Sequence, residues 1–235
     1  MHENKAGDVK MPTKPIKFLV ACAGGFGREV YHWLCTYAMQ KYGTRGTDWE
    51  VIGFLDDNQD ADLSEFGNLP AVVGPINGYQ AKPDERVVVA AGRPAVRRKV
   101  VAALQAGGAM FESMIHPTVI IEPNTTIGQG AIVGPFSYIS CDTKIGEFAL
   151  VNNHVSIGHD VVIGDFCDIC PHVALAGIVT LGDDVFLGSN VTIIPGKRVG
   201  SGSQISAGAT IFRNLRSNCL VQPAPNKIYK DFFKK

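Results

Sequence analysis

A handful of histidine, cysteine, acidic and glycine positions in this chain could do chemistry. His159 is followed by Asp160, and Gly177 stands eighteen residues further on. An imidazole beside a carboxylate, facing a backbone N–H where a side chain would obstruct, is the minimum equipment for acyl transfer. It supplies a base for the nucleophile's proton and a donor for the developing oxyanion. A solvated histidine at a corner of the fold is the plainer alternative. His154 and His172 are also eighteen apart, but two imidazoles lack the third ligand of a zinc centre and read as solvated or interface residues. His116 precedes Pro117 and reads as structural, so no metal is expected. Cys167 and Cys170 form a C-x-x-C, yet the repeat described below already accounts for Cys167 as a small inward-facing residue. No serine or cysteine is paired with a base, so direct attack without an acyl-enzyme is expected.

A second cluster lies near the N-terminus. Ala23-Gly24-Gly25-Phe26-Gly27 follows an apolar run and opens a helical pattern, so backbone N–H groups and a helix N-terminus face whatever sits there, in the outline of a phosphate cradle. The dinucleotide fingerprint would need glycine where Cys22 stands. The next acids, Asp56 and Asp57, come later than the ~20-residue spacing of dinucleotide binders. A nicotinamide cofactor is therefore not expected. Asp56 or Asp57, closing a strand, could hold a ribose or base, and Gly92-Arg93 after another strand could meet phosphate. Turn glycines and solvated charges are the alternative.

A six-residue period positions the first cluster. From Ile115 to Ile211 every sixth residue is aliphatic, through seventeen hexads without interruption. The residue four places later is mostly small or β-branched, and the residue directly after the aliphatic one is often glycine, as at Gly128, Gly146, Gly164 and Gly182. A six-residue unit buries its one aliphatic side chain only if the chain coils into a three-sided prism, so one coil takes eighteen residues and residues eighteen apart stack about 4.8 Å apart. Between five and six smooth coils are expected. The glycines are read as corner residues with unusual backbone angles. A helix is excluded, because period six sends successive apolar residues to changing faces.

Upstream, Ile16 to Ala21, Glu50 to Leu55 and Arg86 to Ala91 read as strands, with helices from Arg28 to Lys41 and Pro94 to Ala106. The alternation implies a small Rossmann-like parallel sheet. The expected organisation is a loose N-terminus over 1–15, an α/β nucleotide-binding domain over 16–112, a β-helix over 113–216 and a tail capping the last coil over 217–235. Lysine plus arginine and aspartate plus glutamate are equal at 22 each, which gives no basic surface for nucleic acid or anionic membrane. No apolar stretch reaches membrane-spanning length and the first fifteen residues lack the apolar core of a signal peptide, so a cytoplasmic location is expected.

Ala23-Gly24-Gly25-Phe26-Gly27-Arg28-Glu29-Val30, Phe54-Leu55-Asp56-Asp57, Ala90-Ala91-Gly92, His116-Pro117 and Ile157-Gly158-His159-Asp160-Val161-Val162-Ile163-Gly164 together resemble one bacterial sugar acyltransferase family. It contains sialic acid O-acetyltransferases and bacillosamine or perosamine N-acetyltransferases, and the similarity covers nearly the whole chain. The resemblance implies a left-handed β-helix, since parallel crossovers are otherwise right-handed. It also implies acetyl-CoA as a co-substrate rather than a resident cofactor, and a nucleotide-activated sugar as acceptor. His159 would be the general base, Asp160 its assistant and Asn152 a residue holding the acceptor. Gly177 would offer its N–H to the thioester carbonyl, with Pro195 and Gly196 beside the coenzyme. Gly24, Gly25, Phe26, Gly27, Asp56, Asp57 and Arg93 would hold the nucleotide.

Related enzymes pack as homotrimers with sites in the grooves between prisms. Members that acetylate amino sugars often carry histidine where Phe26 and Asp168 stand here, so N- and O-acetylation, including O-acetylation of a free sugar such as sialic acid, both stay open. A metal-dependent hydratase and a non-catalytic scaffold are the further alternatives on the same prism.

Overall fold

In the computed structural model, which describes residues 15–223, the chain divides into two units. One runs through Ala91 and resumes over Val96–Pro117; the other holds Gly92–Ala95 and the chain from Thr118 onward.

The first unit is built on a four-stranded sheet in the order β3-β2-β1-β4, from β1 (Ile16–Ala21), β2 (Trp49–Leu55), β3 (Val72–Gly74) and β4 (Glu85–Val89). All pairings are parallel. The central strand is apolar throughout its second half, where Phe18 to Ala21 are buried, as a parallel sheet covered on both faces requires. Helix α1 (Gly25–Tyr42) buries Val30, Tyr31, Leu34, Tyr37 and Ala38, a one-faced stripe at helical spacing. Helix α2 (Pro94–Ala106) buries Val100, Val101 and Leu104. Strand β3 has no counterpart among the expected strands. It is three residues long and only half-buried, too short to show a period.

At the base of α1, Tyr37 and Tyr42 hydroxyls and the Lys41 ammonium all donate to the same Glu112 carboxylate oxygen, the last two at 2.9 and 2.7 Å. This fastens α1 to the segment leaving the unit. Burial, reinforced by the Glu112 carboxylate, pushes the Tyr37 phenol upward.

The second unit is a left-handed parallel β-helix. Two-residue strands recur every six residues, each ending on the phased aliphatic. Ser156–Ile157 pairs with Tyr138–Ile139 below and Ala174–Leu175 above, in a register of eighteen. Val133, Ile139, Val151, Ile157, Ile169 and Ile193 are fully buried. The second inward layer contains polar atoms, and each is bonded to a corner carbonyl. Ser137 Oγ donates to Asn152 O at 2.8 Å, Thr143 Oγ1 to Gly158 O at 3.2 Å and Cys167 Sγ to Gly182 O at 3.0 Å. Cys167 thus faces inward, as the repeat requires.

The corners differ from expectation in one respect. The glycines after the aliphatic positions do not adopt left-handed angles. A methyl on Gly146 would lie 2.5–2.6 Å from Asp165 and Gly164 backbone or carboxylate atoms, and one on Gly128 2.6 Å from the amide of Glu147. They are glycines because the next coil passes too close. The left-handed residue is two places later and recurs every six positions from Asn124 to Gly208, most of them not glycine, including Phe136, His154, Asp160 and Ile178.

The repeat also runs past Ile211. Val199 bridges Leu215, and Gln204–Ile205 pairs with Leu220–Val221, a register of sixteen. The step from Ile211 to Leu215 is four residues and contains no left-handed corner. That change of phase hides the last turn inside the expected tail. Residues beyond 223, with the rest of the expected cap, lie outside the described residues.

Candidate active site

The prism corner between Ser156–Ile157 and Val162–Ile163 carries His159 and Asp160. Two hydrogen bonds fix it in place. Inside, the Thr143 hydroxyl holds the Gly158 carbonyl. From above, the Ile178 amide donates to the His159 carbonyl at 2.8 Å. His159 Nδ1 lies 2.7 Å from Asp160 Oδ2. A proton on Nδ1 facing the carboxylate leaves Nε2 as the lone-pair nitrogen of the neutral ring. Both side chains are 57% exposed, so the pair is open to an incoming molecule.

The imidazole leans over Gly177. A methyl on Gly177 would stand 2.5 Å from His159 Nε2, 2.7 Å from Cε1 and 2.9 Å from Cδ2. Only glycine leaves the ring this position, which brings Nε2 beside the Gly177 backbone as the eighteen-residue spacing predicts.

A neighbouring corner shows what else is special here. In the column Glu147, Asp165, Asp183 and Ser201, each amide donates to a side-chain oxygen of the residue one coil above, at 2.8, 2.9 and 3.1 Å. In the column of His159 the residues above are Gly177 and Pro195, which have no side-chain acceptor. The N–H groups of His159 and Gly177 have no partner among the described residues. Neither amide is committed to the fold, and both belong to the corner that carries the imidazole, which leaves them available to stabilise an oxyanion. The open His159 amide and the Thr143 buttress leave no local signal in the sequence. The open amide becomes visible when it is written in rows of eighteen, whereas the Thr143 bond spans fifteen residues.

Pro195 and Gly196 continue the same corner upward. Gly196 donates to Gly177 O at 3.0 Å and adopts φ 69°, with nothing within 4 Å of where a Cβ would be. Above them come Phe212, which is 70% exposed, and Arg213, both lining a cleft with Thr210, Ile211, Leu215 and Val221. Asn152 is not at this corner. It follows Leu150–Val151 at the preceding corner of the coil, where its Oδ1 accepts the Asn153 amide at 2.7 Å.

In the first unit the glycine loop turns at Cys22, which itself adopts φ 79°, the left-handed angle for which glycine would be the ordinary choice. Burial, reinforced by Asp56 and Asp57, pushes the Cys22 thiol up to about 11. Gly27 is required by close packing, since a methyl there would collide with the Cys22 carbonyl oxygen. Gly24 and Gly25 are exposed and sterically unconstrained, and the helix start has no side-chain cap. Its first amides remain available to an anion. Phe26 is half-buried, edge-on to Trp33 at 5.8 Å.

Asp56 is partly committed to the fold. Its Oδ2 accepts the Ala23 amide at 2.8 Å and its Oδ1 the Asn58 amide at 2.9 Å. Asp57 accepts the amides of Ile76 and Asn77, each at 3.0 Å. Both carboxylates shape the cradle as well as border it. Arg93 is exposed.

His154 and His172 stack as their spacing predicts, with ring centroids 5.0 Å apart, and Phe136 extends the column below. Among the described residues, no three histidine, cysteine or carboxylate side chains converge as a metal site would need. His116 is half-buried, and burial holds its imidazole below the usual value.

Comparison with known proteins agrees with this division. Residues 17–104 match the PglD N-terminal domain, and residues 178–213 match the hexapeptide repeat of succinyl-transferase. No curated protein sequence matches the chain. The acetyltransferase domain of PglB from Neisseria gonorrhoeae, in complex with acetyl coenzyme A, is 26% identical with a TM-score of 0.75, covering 88% of this chain and 95% of that one. A histidine-to-asparagine mutant of perosamine N-acetyltransferase from Caulobacter crescentus, in complex with CoA and GDP-perosamine, is 25% identical with a TM-score of 0.74, covering 92% and 97%. WeeI from Acinetobacter baumannii shares the fold at 23% identity and a TM-score of 0.74, covering 86% and 94%.

Proposed function

From a PglD-type N-terminal domain joined to a hexapeptide-repeat prism, we propose that this protein is an acetyl-CoA-dependent acetyltransferase acting on a nucleotide-linked amino sugar in bacterial surface-glycan synthesis. The observation that carries the proposal is the His159 imidazole lying over Gly177, at a corner where the amides of both residues have no partner among the described residues.

The chemistry follows from that arrangement. The acceptor's amine or hydroxyl gives its proton to His159 Nε2 and attacks the thioester carbon. The carbonyl electrons move onto oxygen, and the Gly177 N–H donates a hydrogen bond to that oxyanion. Collapse of the tetrahedral species breaks the carbon–sulfur bond, and the proton on His159 passes to the departing thiolate. Asp160 holds the ring through Nδ1 and stabilises its charged form. Acetyl-CoA is a co-substrate, entering and leaving with each turnover.

The donor is an anion at one end. The corner of His159 has Asp142, Lys144 and Asp160 on its lower coils, a net negative charge, and Lys197, Arg198 and Arg213 on the coils above. That charge order favours a donor whose phosphates lie toward Phe212 and Arg213 and whose thioester reaches down past Pro195 and Gly196 to Gly177. The acceptor's nucleotide is assigned to the glycine loop, with Gly24, Gly25 and Gly27 permitting close approach and Phe26, Asp56 and Asp57 around it; Arg93 is assigned a phosphate contact.

Asn152 sits one corner away from His159 on its own coil, so its role toward the acceptor requires a second copy. We assign a homotrimer in which each groove joins two prisms. No helix among the described residues is long and apolar enough to cross a membrane. A cytoplasmic setting fits six free cysteines.

The test offers acetyl-CoA together with a panel of nucleotide-linked amino sugars, GDP-perosamine among them, and with free sialic acid, following thiol release. Release dependent on a nucleotide-linked amino sugar is expected. Release with free sialic acid alone would move the protein to O-acetylation of free sugars, and no acceptor-dependent release would refute the acetyltransferase.

A further inference from the structure

One residue beside this site is held in a conformation its type disfavours. Ile178 follows Gly177 and occupies the left-handed corner at φ 65°. The other left-handed prism corners carry asparagine, aspartate, histidine, phenylalanine or glycine, so Ile178 is the one β-branched side chain among the described corners. A branched Cβ crowds the following carbonyl in this region, which makes isoleucine one of the least suited residues for it. Burial within the chain does not compensate, because Ile178 is 58% exposed. Of the bulky residues at other corners, the exposed Phe136 lies against the His154 ring with centroids 5.2 Å apart, and two more are covered. Phe148 and Phe166 are 2% and 9% exposed and stack with centroids 5.1 Å apart. A strained, uncovered side chain next to reactive groups points to a contact made with something outside the chain.

Its position says which contact. The Ile178 amide is bonded to the His159 carbonyl, and its side chain departs from the residue directly after the open Gly177 N–H. In its own column Asp142 and Asp160 lie below and Gly196, bare of side chain, lies above. Ile178 is the apolar residue at the boundary between the acidic lower coils and the empty lane above.

We infer that Ile178 is the specificity-determining residue for the acyl group, its side chain forming the apolar seat on which the acyl methyl rests when the thioester carbonyl meets the Gly177 N–H. The inference rests on the acetyltransferase reading and adds to it the residue that recognises the transferred group.

Calorimetric titration with acetyl-CoA and with free CoA isolates the seat, because free CoA lacks the methyl. Wild type, Ile178→Asn and Ile178→Val are compared. Asparagine already occupies left-handed corners at Asn124, Asn190 and Asn218, so Ile178→Asn should melt no lower than wild type while removing the apolar surface. The preference for acetyl-CoA over CoA should fall about fourfold in Ile178→Asn, the value of one buried methyl, and stay within about twofold in Ile178→Val. Affinity for free CoA should not change. An unaltered preference in Ile178→Asn overturns the inference while leaving the acetyltransferase intact. So does a loss of assembly mass with the preference retained, which would make Ile178 a contact between copies. A wild-type protein that binds neither ligand removes the acetyltransferase reading and this one with it.

Discussion

Gly177 carries more of the site than its lack of a side chain suggests. Its missing Cβ gives the His159 ring room, and its N–H has no partner among the described residues. Gly177→Ala places a methyl 2.5 Å from Nε2, and the ring must swing away. Because that ring is largely exposed, the swing costs little stability. The variant should melt within about 1 kcal/mol of wild type yet lose on the order of a hundredfold or more in kcat. A variant with both properties intact would show that the ring does not work from over Gly177. The grouping of His159, Asp160 and Gly177 is legible in the amino-acid sequence, since stacking at eighteen residues is a property of the repeat alone. The open amide of His159 is not legible in the same way. It depends on the absence of an acceptor at Gly177 and Pro195 where the neighbouring column has Asp165, Asp183 and Ser201, and an absence stands out only once the column is drawn.

The six-residue phase predicts each strand of the prism from Ile115 to Ile211, because an inward aliphatic every sixth residue leaves no other way to bury it. Corner chemistry is harder to read. The glycines that seem to mark unusual angles are there for close approach, and the true left-handed positions include Phe136 and Ile178, which no turn preference would select. Gly146→Ala tests this. Its methyl would meet atoms of the coil above at 2.5–2.6 Å, so stability should fall by about 1–3 kcal/mol; an unchanged melting temperature would mean the coils are not packed this closely. In the other unit the exposed Gly25 is the reverse case, since a methyl there meets only the Arg28 guanidinium at 3.7 Å. Gly25→Leu should therefore fold normally and block the nucleotide. The acceptor KM should rise about tenfold or more with the acetyl-CoA KM within about twofold. An equal loss of both would place the coenzyme at the glycine loop. The last coil is hidden in the sequence because a four-residue step breaks the period at Leu215.

At the scale of the whole molecule the proposal needs more than one chain, because Asn152 and His159 stand at different corners of the same coil. Sedimentation equilibrium at micromolar concentration should give three chain masses, and a stable monomer would contradict the shared groove. The central claim is that His159 takes the acceptor's proton. The most direct measurement is kcat of His159→Ala with acetyl-CoA and the acceptor identified by thiol release, once its folding and trimer mass match wild type. A positioned base contributes about 10² to 10⁴ in rate. The open amides survive the substitution, so the variant should fall by that factor without reaching the uncatalysed rate. Activity within about threefold of wild type, under about 1 kcal/mol of transition-state stabilisation, would contradict a general-base role for His159.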